Sequence, residues 1–142
     1  MRPLGYLRAY AYAAVDPGWQ LLQAPAFSVP KVLARAGMTL KDIDLVEIHE
    51  AFAAQVLSNL QAFASKSFAD QHLGGAEPIG EVPDEKLNAH GGSISIGHPF
   101  GATGARMVVQ ALRALARRGQ QTALLSICAA GGLGAAAILE RE

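Results

Sequence analysis

Between Leu4 and Val15 tyrosines alternate with alanines, and Asp16-Pro17-Gly18 ends the run. Alternation closed by a turn signal predicts a β-strand. Arg8 interrupts any apolar stretch a leader would need, so MRPLGYLRAYAYAAV reads as an opening strand and not as a signal peptide. Ser28 is placed to cap a helix that carries Pro30 in its first turn, and Gly37 to stop it. Leu45 to His49 is a short, mostly apolar strand. From Glu50 the period changes: Phe52, Val56, Leu60 and Phe63 share one helical face, with Gln55 and Ser58 elsewhere. Ser65 to Lys86 has mixed polarity and holds Gly74-Gly75, Pro78, Gly80 and Pro83, which predicts the longest loop and the most mobile region.

The glycine-rich stretch NAHGGSISIGHPFGATGAR, Asn88 to Arg106, opens a second long helix. Val108, Leu112 and Leu115 form its buried face, and Arg106, Gln110, Arg113 and Arg117 its wet one. Arg117 and Arg118 suit the last turn, and Gly119 ends it. Thr122 to Ile127 is an apolar strand that reaches Cys128, and a second apolar strand follows Gly131-Gly132 as far as about Leu139. The order strand, helix, strand, helix, loop, helix, strand, strand predicts an α/β layered sheet in one domain, residues 1–142.

Composition narrows the function. A chain of 142 residues suits a single domain that buries roughly two-thirds of its unfolded surface. A hydrophobic fraction of 51% with 17% charged residues argues against disorder. Twelve basic residues balance twelve acidic ones without like-charge blocks, which argues against nucleic-acid or anionic-membrane binding by bulk electrostatics. No apolar run is long enough to span a bilayer. Cys128 is the only cysteine, so no disulfide forms within the chain, and a reducing compartment, the cytoplasm, fits best.

Chemistry concentrates in three segments: His49-Glu50, the glycines around His98, and Cys128 ahead of its own glycines. In open α/β sheets, sites form beyond the carboxyl ends of strands, where His49 and Cys128 both fall. Taken singly, each has a plain structural reading: a hydrogen-bonded histidine, an inert core thiol, glycines that only turn the chain. A nucleotide loop is disfavoured because GHPFGATGAR lacks Gly-Lys-Ser/Thr and does not match G-x-G-x-x-G. A metal site is disfavoured because HEAFA lacks the second histidine of H-E-x-x-H, and His72, His90 and His98 show no ligand spacing.

Together, HEAFA, GGSISIGHPFGATGAR and CAAGGLGAAAILE, in that order, closely resemble the C-terminal half of a thiolase over essentially the whole chain. Most thiolases carry NEAFA and C-x-G-G-G. The variants here, His49 for asparagine and Ala130 for the first glycine, resemble the branch containing the β-subunit of the fatty-acid β-oxidation multienzyme complex. The resemblance implies a thiolase-like layered fold, one mixed β-sheet covered by helices. It implies an acetyl-CoA C-acyltransferase that cleaves or forms 3-oxoacyl-CoA and needs no cofactor beyond the coenzyme A thioester that is its substrate.

Residue roles follow from the same resemblance. Cys128 would serve as acid or base at the acetyl-CoA carbon, work suited to a thiol whose unperturbed pKa is about 8.5. His98 would activate the nucleophile and donate to the thioester oxygen. His49 would replace the asparagine that holds a water in the oxyanion hole, which an imidazole does only in the correct tautomer or when protonated. Ala130 and Gly131 would give backbone support, and an alanine implies an ordinary φ at that point. Phe52 would border the acyl pocket, with core packing an equal alternative, and Glu50 would begin the helix and orient its surroundings.

The family's nucleophilic cysteine belongs to an N-terminal half that this chain does not match. The expected partners are therefore acyl-CoA or CoA, a thiolase N-terminal half or further copies in a homo-oligomer, and a hydratase/dehydrogenase subunit, all in a bacterial cytoplasm, with no nucleic acid and no membrane span. An exposed apolar helical face is expected where the other half would pack. The competing reading is a non-catalytic interaction module, or a truncated remnant, that keeps the fold.

Overall fold

The alternating N-terminal stretch forms β1 (Gly5–Ala14), at one edge of a four-stranded sheet. It pairs antiparallel with β4 (Leu133–Arg141), which pairs antiparallel with β3 (Thr122–Ala129), and β3 pairs parallel with β2 (Leu45–Ile48). The order is β1-β4-β3-β2. The computed structural model describes residues 2–142, so Met1, the first letter of the opening stretch, lies outside the described residues. Because β2 and β3 are parallel, both deliver their carboxyl ends to the same side of the sheet. Beyond β2, Leu87 adds a single parallel bridge to Val46.

Six α-helices accompany the sheet among the described residues. The Asp16-Pro17-Gly18 signal opens a single turn, α1 (Pro17–Gln20), capped by the Asp16 carboxylate, which accepts from the Gly18 N–H at 2.8 Å. Next, α2 (Pro25–Ala36) starts earlier than the sequence reading placed it. Its N-cap is Ala24 and its first residue Pro25, a position where the fixed φ of proline is pre-organised and its missing N–H costs nothing. Ser28 therefore caps nothing; it is buried with an unpaired hydroxyl, and Pro30 lies inside the helix. Gly134 permits this start, since a Cβ there would sit 2.7 Å from the Ala24 carbonyl carbon. Gly37, at φ 66°, stops the helix as expected.

The helix α3 spans Ala53–Ala64 and α4 spans Lys66–His72. Val56 and Phe63 are buried as the periodicity predicts and Leu60 partly so, but Phe52 is 66% exposed and extended at the N-cap, while Gln55 and Asn59 are buried. The inward face is rotated because the Asn59 amide donates to the Leu22 carbonyl at 3.1 Å, satisfying backbone beside α2. Part of the predicted loop is helical instead: Ser65 caps α4 by accepting from the Phe68 N–H at 3.1 Å. Past it, Asp84–Lys86 makes one 3₁₀ turn. Finally come the short α5 (Ser93–Ile96) and α6 (Thr103–Arg118).

Strand alternation divides the core in two. Val46, Ile48, Leu124, Ala136 and Ile138 face α2 and α3, packing on Val29, Val32, Leu33, Val56 and Phe63. Leu45, Ala123, Leu125 and Leu139 face the other way, onto Met107, Ala111, Leu112, Ala114 and Leu115 of α6. The layers are helix, sheet, helix. On the α6 side the cover stops short of β1, leaving Leu7, Tyr10, Tyr12 and Leu133 exposed above Ile127 and Ala135. An exposed apolar surface was expected on a helix; this one lies on the sheet.

Candidate functional site

At the end of β2 the parallel ladder runs one residue further, because the His49 N–H donates to the Ser126 carbonyl at 2.8 Å. That bond fixes His49 against β3, where it is 2% exposed. The His98 ring covers it, with ring centroids 4.2 Å apart, while His98 itself faces solvent. His98 Nδ1 is 2.7 Å from the hydroxyl of Thr103, the first residue of α6. On the other side of His98 lies the exposed ring of Phe100, at 5.0 Å between centroids.

Cys128 is buried near the end of β3. Burial pushes its thiol up, and the backbone N–H groups of Cys128 and Ala51 oppose the shift. Burial also pushes the His49 pKa down, helped by the charges of His98 and Arg106 and opposed by Glu50. The site thus favours a neutral imidazole and a protonated thiol.

Glu50 does not begin α3, which starts at Ala53. It ties the turn to the glycine-rich segment instead: its carboxylate accepts from Asn88 Nδ2 at 2.7 Å and from the Ile94 N–H at 2.9 Å. Gly92 makes room for it, since a Cβ there would lie 2.5 Å from a carboxylate oxygen. Asn88, the one non-glycine residue with positive φ among the described residues (φ 42°), brackets Ile48 by accepting from its N–H at 2.7 Å and donating to its carbonyl at 3.0 Å. Glu47, on the α6 side of β2, is buried with its pKa pushed up to about 7, first by burial; Arg106 and Arg118 oppose the shift and Glu50 adds to it.

Of the residues singled out in the sequence, His49, His98 and Cys128 come to the same end of the sheet. Ala130 and Gly131 lie in the tight turn from β3 to β4, Gly131 with φ 85° and Ala130 without a positive φ. Phe52 does not pack in the core; it borders a cleft of about 410 Å³ with Leu21, Leu22, Gln55 and Ser58. Arg106 and Gln110 are half-buried rather than on a wet face: Arg106 donates to the Gln110 side chain at 3.0 Å and to Ser93 Oγ at 3.3 Å. Ser93, Thr103, Asn88 and Arg106 were not singled out as site residues. Only Asn88 carried a local signal, as a residue type that tolerates positive φ.

Residues 1–141 match the family model described as "Thiolase, C-terminal domain". The chain is 56% identical to the 3-ketoacyl-CoA thiolase of Salmonella paratyphi B over 142 residues, covering 100% of this chain and 33% of the relative. It is likewise 56% identical to that of Photorhabdus laumondii over 141 residues, covering 99% and 32%. The crystal structure of the Bacillus anthracis acetyl-CoA acetyltransferase superposes with a TM-score of 0.78 at 34% identity, over 100% of this chain and 32% of that one. Human mitochondrial 3-ketoacyl-CoA thiolase gives 0.78 at 32% identity, over 99% and 31%. The chain spans about a third of the length of the curated relatives it matches.

Proposed function

Because the chain belongs to the thiolase C-terminal domain family, we propose that it is the C-terminal part of a 3-ketoacyl-CoA thiolase acting in fatty-acid β-oxidation. The observation that carries this reading is the stacked histidine pair, His49 buried beneath His98, at the strand end next to the one that carries the buried Cys128 thiol. The substrates are a 3-oxoacyl-CoA and CoA, and the reaction needs no separate cofactor.

In the cleavage direction a cysteine outside these residues attacks the 3-keto carbon, and His98 takes the thiol proton. The C2–C3 bond breaks, the acyl group stays on that sulfur, and acetyl-CoA leaves as its enolate. Charge on the enolate oxygen is met by N–H donors at the histidine pair, and the enolate carbon takes the Cys128 proton. CoA gives its thiol proton to the Cys128 thiolate and removes the acyl group, the released cysteine takes back the proton held by His98, and the reverse sequence forms the bond. A thiol held protonated by burial suits the donor role, and Ala130 and Gly131 support it from the turn. Phe52 lines the acyl side through its cleft. The partners are the remainder of a thiolase subunit, further copies of it, and a hydratase/dehydrogenase subunit, in the bacterial cytoplasm.

The test is a chimera in which this chain replaces the corresponding third of the Photorhabdus laumondii relative. Incubated with acetoacetyl-CoA and CoA, the chimera is expected to turn over and the isolated chain is not. Cys128→Ser in the chimera is expected to lower kcat by roughly 10³-fold or more, as for one member of a cooperative catalytic set. An assembled but inactive chimera would support the non-catalytic module. Turnover by the isolated chain that disappears with Cys128→Ser would make Cys128 the nucleophile and overturn the assignment.

A further inference from the structure

We propose that Ser93 and Arg106 are positioning residues that hold His49 in its Nε2–H tautomer, so that an N–H and not a lone pair points into the site beside His98. The inference rests on the reading of His49 as a donor to the enolate oxygen, and it adds the device that makes a histidine usable there. An asparagine amide has a built-in donor, whereas a neutral imidazole offers a donor at one nitrogen and an acceptor at the other. Replacing the amide by His49 therefore creates a requirement that its surroundings must meet.

The hydrogen bonds meet it in sequence. Arg106 has donors only, so its Nη2, at 3.3 Å from Ser93 Oγ, occupies a lone pair of that hydroxyl. Ser93 is 6% exposed, and its only other side-chain partner among the described residues is His49 Nδ1, at 2.9 Å. The hydroxyl hydrogen has one acceptor to go to, and that acceptor is Nδ1. A nitrogen that accepts carries no proton, so the proton of the neutral ring sits on Nε2. The half-buried Arg106 guanidinium also disfavours the imidazolium, as burial and His98 do, while Glu50 opposes them.

His98 shows the opposite arrangement. The Thr103 hydroxyl donates to the Pro99 carbonyl at 3.4 Å, which leaves its lone pairs to accept from His98 Nδ1–H at 2.7 Å. His98 Nε2 then bears a lone pair, the form a proton acceptor needs. Two rings 4.2 Å apart are held in complementary tautomers by two hydroxyls from one segment of chain.

The tautomer can be read without turnover. The chain is labelled with ¹⁵N and its imidazole nitrogens are recorded in long-range ¹H–¹⁵N correlation spectra at neutral pH, with His49 assigned through His49→Gln. Expected are a protonated, pyrrole-type Nε2 and a bare, pyridine-type Nδ1 at His49. Ser93→Ala should mix the two tautomers, and Ser93→Thr, which keeps the hydroxyl, should restore the pattern. A packing role alone for Ser93 would leave the nitrogen shifts of Ser93→Ala unmoved, and that result overturns the proposal. So does a wild-type His49 protonated at Nδ1, which needs no variant to fold. An inactive chimera with the expected His49 spectrum would defeat only the proposed reaction, and an active one with the wrong spectrum only this inference.

Discussion

The two faces of the sheet are built for different tasks. Against α2 and α3 the larger apolar core gathers residues from all four strands, with Ser126 a buried hydroxyl beside Ile48 and Ala136. Against α6 the apolar core is smaller; it admits a buried carboxyl at Glu47, gives way to the histidine pair at one end, and stops short of the tyrosines at the other. A sealed apolar face gains from every methylene it buries, roughly 25 cal/mol per Å². A face that carries buried polar groups gives up part of that gain to hold chemistry and to leave surface for association. Stability should therefore be concentrated on one face, and sensitivity to pH and to partners on the other.

The largest test strikes the sealed face. Ile138 is fully buried between β-sheet neighbours and α2. Ile138→Ala leaves a cavity in a layer that cannot collapse around it, and the expected cost is about 2–5 kcal/mol. Urea unfolding of wild type and variant measures it. A loss under about 1 kcal/mol would show that the α2 face is no better packed than its opposite.

The same contrast decides what could be read in advance. Gly37 and Gly119 were legible as helix stops because a residue at φ 66° is a local demand met by a local residue type. His49, His98 and Cys128 were legible as a set because their segments resemble one family's motifs. The start of α2 was misread because Ser28 is a good cap in the abstract, while the actual start depends on Gly134 admitting Ala24 and Pro25 from more than a hundred positions away. Gln55 was read as off the apolar face on polarity alone, yet it is buried beside Asn59, which is drawn in by a carbonyl of a distant segment. Ser93 was missed for the same reason: its partner is 44 residues away, and no periodicity records a hydrogen bond of that span.

Glu47 gives a smaller effect with a definite sign. The unfolded chain titrates it near 4.5, the folded chain at about 7. Between those values the folded state binds more protons, so stability falls as pH rises through that window, and the deficit is complete above 7. Its size is on the order of 3 kcal/mol at most, from the distance between the two pKa values. Glu47→Gln cannot ionise, so it should be more stable than wild type at pH 8 by about 1–3 kcal/mol and no more stable at pH 4. Thermal unfolding across that range checks it, and two parallel stability curves would sink the account.

The smallest expected effect on stability, and the one specific to the open face, concerns Tyr10 and Tyr12. Both are exposed on the α6 side of β1, an edge strand whose outer backbone groups have no strand partner among the described residues. An edge of that kind beside an exposed apolar surface, larger than roughly a few hundred Å² in contiguous extent, favours association over solution as a monomer. The isolated chain is therefore expected to self-associate as its concentration rises. Replacing both tyrosines by serine removes apolar area that is already in water, so each change should shift folding stability by no more than about 0.5 kcal/mol. Association should weaken nonetheless, because the rings are what a second molecule would cover. Sedimentation velocity over a concentration series, paired with urea unfolding, separates the two quantities. A wild-type chain that stays monodisperse and monomeric, or a double variant that associates as strongly as wild type, would show that this face is not the one through which the chain meets a partner.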